Sequence, residues 1–181
     1  MKTSIKLVLT GSMGVILIIF SCGRGSSSGQ ETANSQKSTT NFWGKVACGF
    51  QLSLSLDREM YRVGEPMTAT VKLRNSSDQS QGIGESNPEA DFDVVVKDDN
   101  GKDVPRSAYW KQLQEDPQSY RDFMAKMKSG EEMKYTMTIS KLFNMRTKGL
   151  YSISVKRKVL ISGGGDICEV ISNTVLVRIT D

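Results

Sequence analysis

The sequence predicts a mostly β protein: a single antiparallel β-sandwich of about seven strands, with one short helix in a long connection. Three observations predict it. Six segments alternate apolar and polar residues with a period of two, turn-forming residues separate them, and one stretch shows a helical period instead. A half-buried antiparallel sheet has one apolar face, so several such strands require a second sheet to cover it.

Leu52, Leu54 and Leu56 alternate with Ser53 and Ser55 in the first segment. Tyr61-Arg62-Val63-Gly64-Glu65-Pro66 then stops one strand and sets up the next, where Met67, Ala69, Val71 and Leu73 alternate with Thr68, Thr70, Lys72 and Arg74. Phe92, Val94 and Val96 form a third strand, and Asp99-Asn100-Gly101 behind it tolerates the positive φ of a tight hairpin. Asp116-Pro117 reads as an N-cap with proline at N1. Tyr120, Phe123, Met124 and Met127 follow at i, i+3, i+4 and i+7, a short helix that Ser129-Gly130 closes. Three further strands carry Met133, Tyr135, Met137 and Ile139, then Tyr151, Ile153 and Val155, then Val175, Val177 and Ile179.

Composition narrows the chemistry. The 181 residues are 38% hydrophobic and 24% charged, a globular balance. From Cys22 onward the charge is nearly neutral and its basic residues are scattered, so nucleic acid is not an implied partner. Histidine is absent, which excludes Ser-His-Asp, Cys-His and His-based zinc chemistry. Asp98-Asp99-Asn100-Gly101-Lys102-Asp103 lacks the later acidic residue and full spacing of a calcium loop and reads as a hairpin turn. No cofactor, metal or catalytic residue is marked, and the expected activity is non-enzymatic.

The chain opens with Lys2 and Lys6 ahead of a 14-residue apolar stretch, Leu7 to Phe20, which is short for a membrane span and fits a signal segment over 1–21. Ile19-Phe20-Ser21-Cys22 resembles the bacterial lipobox, with Phe20 where a small residue is more usual and Ile19 where Leu is commonest. The resemblance implies cleavage before Cys22, a diacylglyceryl thioether on its sulfur, often an N-acyl chain, and a membrane as partner. Gly23 in place of Asp implies the outer membrane or cell surface over the inner membrane. Residues 22–41 hold no large apolar side chain and read as the lipidated end and a flexible tether, which leaves 42–181 for one domain.

Three landmarks together resemble a bacterial immunoglobulin-like domain: Tyr61-Arg62-Val63-Gly64-Glu65-Pro66 before an alternating strand, Asp99-Asn100-Gly101 at the middle hairpin, and Gly149-Leu150-Tyr151-Ser152-Ile153 opening a late strand. The last resembles a tyrosine corner, in which the Tyr151 hydroxyl bonds nearby backbone. The same order is similar to macroglobulin-type domains and to the intracellular proteinase inhibitor family of bacteria. It implies a fold and leaves the activity open between an envelope binding or structural module and a proteinase inhibitor using an exposed loop.

With Cys22 lipidated, Cys48 and Cys168 remain, and an exported chain meets an oxidising compartment. In an immunoglobulin-like order the first and last strands run parallel. Cys48 and Cys168, just before each, would then meet at one end as a disulfide; the other reading is two separate buried thiols. Tyr109, Trp110, Tyr120 and Phe123 lie on the long connection and are the candidates for binding an envelope protein partner. The alternative is that their helix folds back and the rings cap an open end of the core. Lys156-Arg157-Lys158 is expected to face water or blunt a sheet edge, contact with anionic lipid being the other use of such a run.

Overall fold

The computed structural model describes residues 43–116, 123–160 and 167–181, apart from the side chain of Phe123. Among them, alternation resolves into β1 (Phe50–Leu56), β2 (Met60–Arg62), β3 (Thr68–Asn75), β4 (Gln81–Glu85), β5 (Asp93–Lys97), β6 (Phe123–Met127), β7 (Glu132–Thr138), β8 (Gly149–Leu160), β9 (Ile167–Ile171) and β10 (Val175–Thr180). Three short helices interrupt them: α1 (Pro88–Asp91), α2 (Ala108–Glu115) and α3 (Ile139–Leu142). The protein is thus mostly β and built from several sheets, with more strands and helices than the sequence predicts.

One sheet has the order β1-β3-β7, another β2-β10-β8-β5 with β9 also on β8, and β4 pairs β6. All pairings are antiparallel except β2 with β10. Register follows the apolar pattern, because a one-residue slip would turn every buried side chain outward. Leu52 faces Leu73, which faces Met133, and Leu54 faces Val71, which faces Tyr135. In β8 the buried residues are Tyr151, Ile153, Val155, Arg157 and Val159, and they join the same core as the inner residues of β1 and β3. The Tyr151 hydroxyl donates to the Thr147 carbonyl at 2.6 Å, which fixes the start of β8.

The parallel neighbour of the last strand is β2 and not the first strand, a correction to the expected order. Strand β1 instead takes its second neighbour from the chain before it. Ala47 and Phe50 exchange two backbone hydrogen bonds of 2.9 Å around Cys48 and Gly49, whose φ values of 53° and 80° match a two-residue hairpin turn of the I′ kind. Gly44 continues that hairpin, its N–H donating to the Leu52 carbonyl at 2.7 Å. A Cβ on Gly44 would stand 2.0 Å from the Ile171 carbonyl oxygen, so only glycine allows this approach to β9.

Strands β9 and β10 both pair with β8. The pairs Lys156↔Ile171 and Ile153↔Val175 enclose one more residue on the β9–β10 side than on β8, which is a bulge. The bulge aims Asn173 across the molecule. Its Oδ1 accepts from the Leu54 N–H at 2.8 Å and its Nδ2 donates to the Leu54 carbonyl at 3.0 Å, pairing with β1 as a backbone would.

The helix expected after Asp116 is not formed as predicted. Asp116 is the C-cap of α2, whose N-cap is Ser107, and residues 123–127 are strand β6. Residues 117–122, including Pro117 and Tyr120, lie outside the described residues. Met124 and Met127 fit a helical stripe, but they also fall on opposite faces of a strand: Met127 is buried and Met124 exposed. Pairing with β4 decides between the two periods.

Asn75, the last residue of β3, is fully buried and acts as a hub. Its Nδ2 donates to the carbonyls of Gln79, Met127 and Lys128 at 2.7, 3.1 and 3.1 Å, and its Oδ1 accepts from the Ser77 N–H and hydroxyl at 3.0 and 2.7 Å. Asn75→Ala leaves buried carbonyls without a donor and is expected to cost about 2–3 kcal/mol in urea denaturation. Ser76→Ala, which loses one exposed bond to Gln51, should leave the midpoint close to that of the parent chain.

Candidate functional site

The segment between β5 and β7 carries the aromatic candidates, and the structure separates them. Tyr109 and Trp110 lie on α2, which starts where Ser107 Oγ accepts from the Trp110 N–H at 3.2 Å. Trp110 is half-buried against the core, with the Arg106 guanidinium 4.9 Å from its ring centroid. Tyr109 is exposed, and its hydroxyl donates to Glu89 at 2.6 Å; that bond, then burial, raises its pKa. Phe123 belongs to β6, and Tyr120 lies outside the described residues. The described aromatics therefore brace α2 against neighbouring elements, and Tyr109 alone presents much surface.

Arg106 explains the position of α2. Its Nη2 donates to Asp93 at 2.7 Å and to the Val94 carbonyl at 2.6 Å on the edge of β5 away from β8, and it also lies 4.3 Å from the Phe143 ring centroid. The Ser107 N–H donates to the Leu142 carbonyl at 2.9 Å, and the Ser107 hydroxyl to the Lys141 carbonyl. Helices α2 and α3 thereby meet at one end of the sheets.

A groove of about 510 Å³ opens there, between β2, the start of α2 and the α3 segment. Its apolar floor includes Tyr61, Met67 and Phe143, all buried, and Arg62, Lys141 and Arg146 stand exposed on its rim. Glu65 is the carboxylate of this lining and is already engaged: Oε2 accepts from the Arg62 N–H at 2.9 Å and Oε1 from Arg58 at 2.6 Å. Those bonds hold its pKa below the ordinary carboxylate value. Ser140 Oγ accepts from the Met67 N–H at 3.1 Å, so this hydroxyl serves backbone. The groove offers positive charge over an apolar base, with Arg62 beside Glu65 and no ion pair at Lys141 or Arg146 among the described residues, which suits an anionic, partly apolar group of a partner. None of its lining was singled out in the sequence as a binding site. The groove joins four segments far apart along the chain, and scattered single cations give no pattern.

A second polar cluster lies inside the molecule and corrects the reading of the basic run. Arg157 is only 3% exposed, and it occupies an inward position of the alternating strand β8 while Lys158 faces outward. Its Nη2 donates to the Gly84 carbonyl at 2.6 Å and to Asp91 at 3.3 Å. The guanidinium carbon lies 4.9 Å from the Phe92 ring centroid and 5.5 Å from that of Tyr135. The Tyr135 hydroxyl donates to buried Glu85; burial first, and this bond second, push its pKa well above the ordinary phenol value. Asp91 in turn accepts from the Ser86 N–H at 3.0 Å. The period-two pattern of Tyr151, Ile153 and Val155, carried two residues on, was the signal that could have placed Arg157 inside.

Cys48 and Cys168 lie at disulfide distance, with Cα atoms 6.4 Å apart across 120 positions of sequence. Cys48 sits in the turn before β1 as expected. Cys168 lies within β9, opposite Val159 of β8, and not ahead of the last strand as expected. Cys22 is outside the described residues. No helix among the described residues is long and apolar enough to cross a membrane.

No protein-family model matches the chain, and no curated protein matches it in sequence. Solved structures with partial similarity include a β-glucosidase from Listeria innocua in complex with isofagomine, at 16% identity and a TM-score of 0.39, covering 72% of this chain and 16% of that one. A β-glucosidase from Erythrobacter marinus aligns at 10% identity and a TM-score of 0.39, covering 72% of this chain and 15% of that one. The sporulation control protein Spo0M from Bacillus subtilis aligns at 14% identity and a TM-score of 0.37, covering 74% of this chain and 50% of that one. The chain thus spans a small part of each glucosidase and half of Spo0M.

Removing one member of a buried charged pair strands the other. Arg157→Ala is therefore expected to destabilise the protein by about 3–5 kcal/mol in chemical denaturation. Lys158→Ala, next in sequence and facing outward, should shift the midpoint little. Equal effects of the two substitutions would contradict the inward placement of Arg157.

Proposed function

We propose that this chain is a lipid-anchored protein of the bacterial cell envelope, a non-enzymatic binding module that holds a protein partner in the groove between β2, α2 and α3. The carrying observation is the Cys48–Cys168 pair at disulfide distance. Disulfides persist in oxidising compartments outside the cytosol, so the pair supports export. It also sets Cys48 and Cys168 apart from the third cysteine of the sequence, Cys22, which ends a lipobox-like segment. The tether and a self-contained β core fit a module displayed from a membrane.

The finer fold reading is an immunoglobulin-like sandwich of the β1-β3-β7 sheet on the five-stranded sheet. It is supported by inner residues of both sheets in one core, by the Tyr151 hydroxyl on Thr147, and by the parallel β2–β10 pair at the edge. The binding reading rests on Arg62, Lys141 and Arg146 around an apolar floor. Such a rim steers an anionic partner and sets its orientation, while the floor supplies affinity.

Photo-crosslinking in the native cell tests both parts. A photoreactive residue in place of Asn144, which lines the groove, is expected to capture one dominant envelope protein. Lys141→Glu combined with Arg146→Glu should abolish that adduct while the chain stays in the membrane fraction. Cys22→Ser should release the chain from the membrane. An adduct indifferent to the charge reversal would overturn the groove, and a Cys22→Ser chain that stays membrane-bound would overturn the anchor.

A further inference from the structure

The outward face of β8, β9 and β10 is unusually apolar for a surface. Among the described residues ten large hydrophobic side chains are exposed, and five of them, Leu150, Leu160, Ile167, Ile171 and Leu176, stand on this one face. Leu160 and Ile167 are direct cross-strand partners and are 64% and 67% exposed. Leu160, Ile167 and Ile171 gather toward one end of this face and Leu150 and Leu176 toward the other, and neighbouring exposed apolar side chains such as the first group mark an interaction site more often than single scattered residues do. Lys158 and Arg178 stand among these aliphatics, while Lys156 pairs with Glu169 at 3.2 Å, the single carboxylate on the three strands, and faces Asp93 of β5. Aliphatic tips interspersed with cations match the interface of an anionic bilayer, where apolar groups enter the headgroup boundary and lysines meet phosphate.

The route of the chain selects the same partner. Gly44 lies directly against the Ile171 carbonyl, so the first described residues of the chain pass the β9 edge of this face. Twenty residues separate Cys22 from Trp43, a length of chain that reaches at most roughly 70 Å. An acylated Cys22 would hold the β9 edge within reach of the bilayer at high effective concentration, so a weak surface affinity would be enough to dock it.

We infer that the outward face of β8–β10 docks on the bilayer that holds the lipid anchor, with Leu160 and Ile167 inserted at the headgroup boundary. This rests on the lipid-anchor reading. It orients the domain. The cystine, whose Cys168 lies next to Ile167 in β9, then sits close to the membrane.

The test uses the complete acylated protein reconstituted in vesicles of phosphatidylethanolamine and phosphatidylglycerol. A benzophenone amino acid replaces Leu160, Ile167 or, as a control, Met124, which is 74% exposed on β6. Docking yields phospholipid adducts at 160 and 167 and few at 124. Leu160→Glu introduced into the 167 probe chain should cut the yield about tenfold, the factor that a loss of about 1.4 kcal/mol of surface affinity produces. Equal yields at the three positions, or chain-to-chain adducts at 160 and 167 in place of lipid, would overturn the docking while leaving the anchor intact. A chain purified from its native cells without added acyl mass would overturn the anchor reading, and the docking with it.

Discussion

The Cys48–Cys168 pair, at disulfide distance and proposed as a bond, is the constraint on which the arrangement of this protein turns. It closes a loop of 120 positions, which in the chain-entropy model contributes about 4–5 kcal/mol by restricting the unfolded chain. Its position matters as much as its size. The bond joins the turn ahead of β1 to β9, where the β1-β3-β7 sheet approaches the five-stranded sheet. Gly44 against Ile171 and Asn173 on Leu54 reinforce the same seam. A disulfide, a glycine contact and a side-chain amide together close the edge of β1, which would otherwise expose unpaired backbone groups.

Elsewhere, buried polar hubs specify what the apolar pattern leaves open. Asn75 ties the end of β3 to Ser77 and Gln79 ahead of β4 and to Met127 and Lys128 at the end of β6 through five hydrogen bonds. Arg157 ties β8 to β4 and α1. Both positions would lose stability if only one partner were removed, and both choose one register among several that would bury similar apolar area. The small β4–β6 sheet puts Ile83 and Met127 into the core and is tied in further by these two hubs.

The strands of the main sheets could be read directly because their buried residues alternate without interruption, as Ala69, Val71 and Leu73 do in β3. Strand β4 could not, since Gln81-Gly82-Ile83-Gly84-Glu85 has one apolar side chain and two glycines of low strand propensity. Strand β9 was hidden because its exposed Ile167 and Ile171 break the inward-apolar rule that the reading relies on. Residues 123–127 carry a pattern compatible with both periods, and tertiary pairing with β4 settled it. For the candidate site, the cysteine pair was legible from the count left once Cys22 is set aside and from the strand order that the immunoglobulin-like resemblance implies. The groove was not, because Arg62, Ser107 and Lys141 become neighbours only after α2 and α3 fold onto one end. Arg157 was misassigned because charge was read as exposure at a position whose strand parity points inward.

Function follows from how these constraints combine. The proposed membrane-held binding module draws on a Cys48–Cys168 pair that supports export, a lipobox-like segment ending at Cys22 and a groove with a cationic rim. The central claim is the division of labour among the three cysteines. Peptide mapping of the protein purified from its native cells under non-reducing conditions tests it most directly. The account predicts a peptide pair joined through Cys48 and Cys168, and a mature chain whose first residue is Cys22 carrying acyl mass. Free thiols at 48 and 168, or a bridge from either one to Cys22, would contradict it.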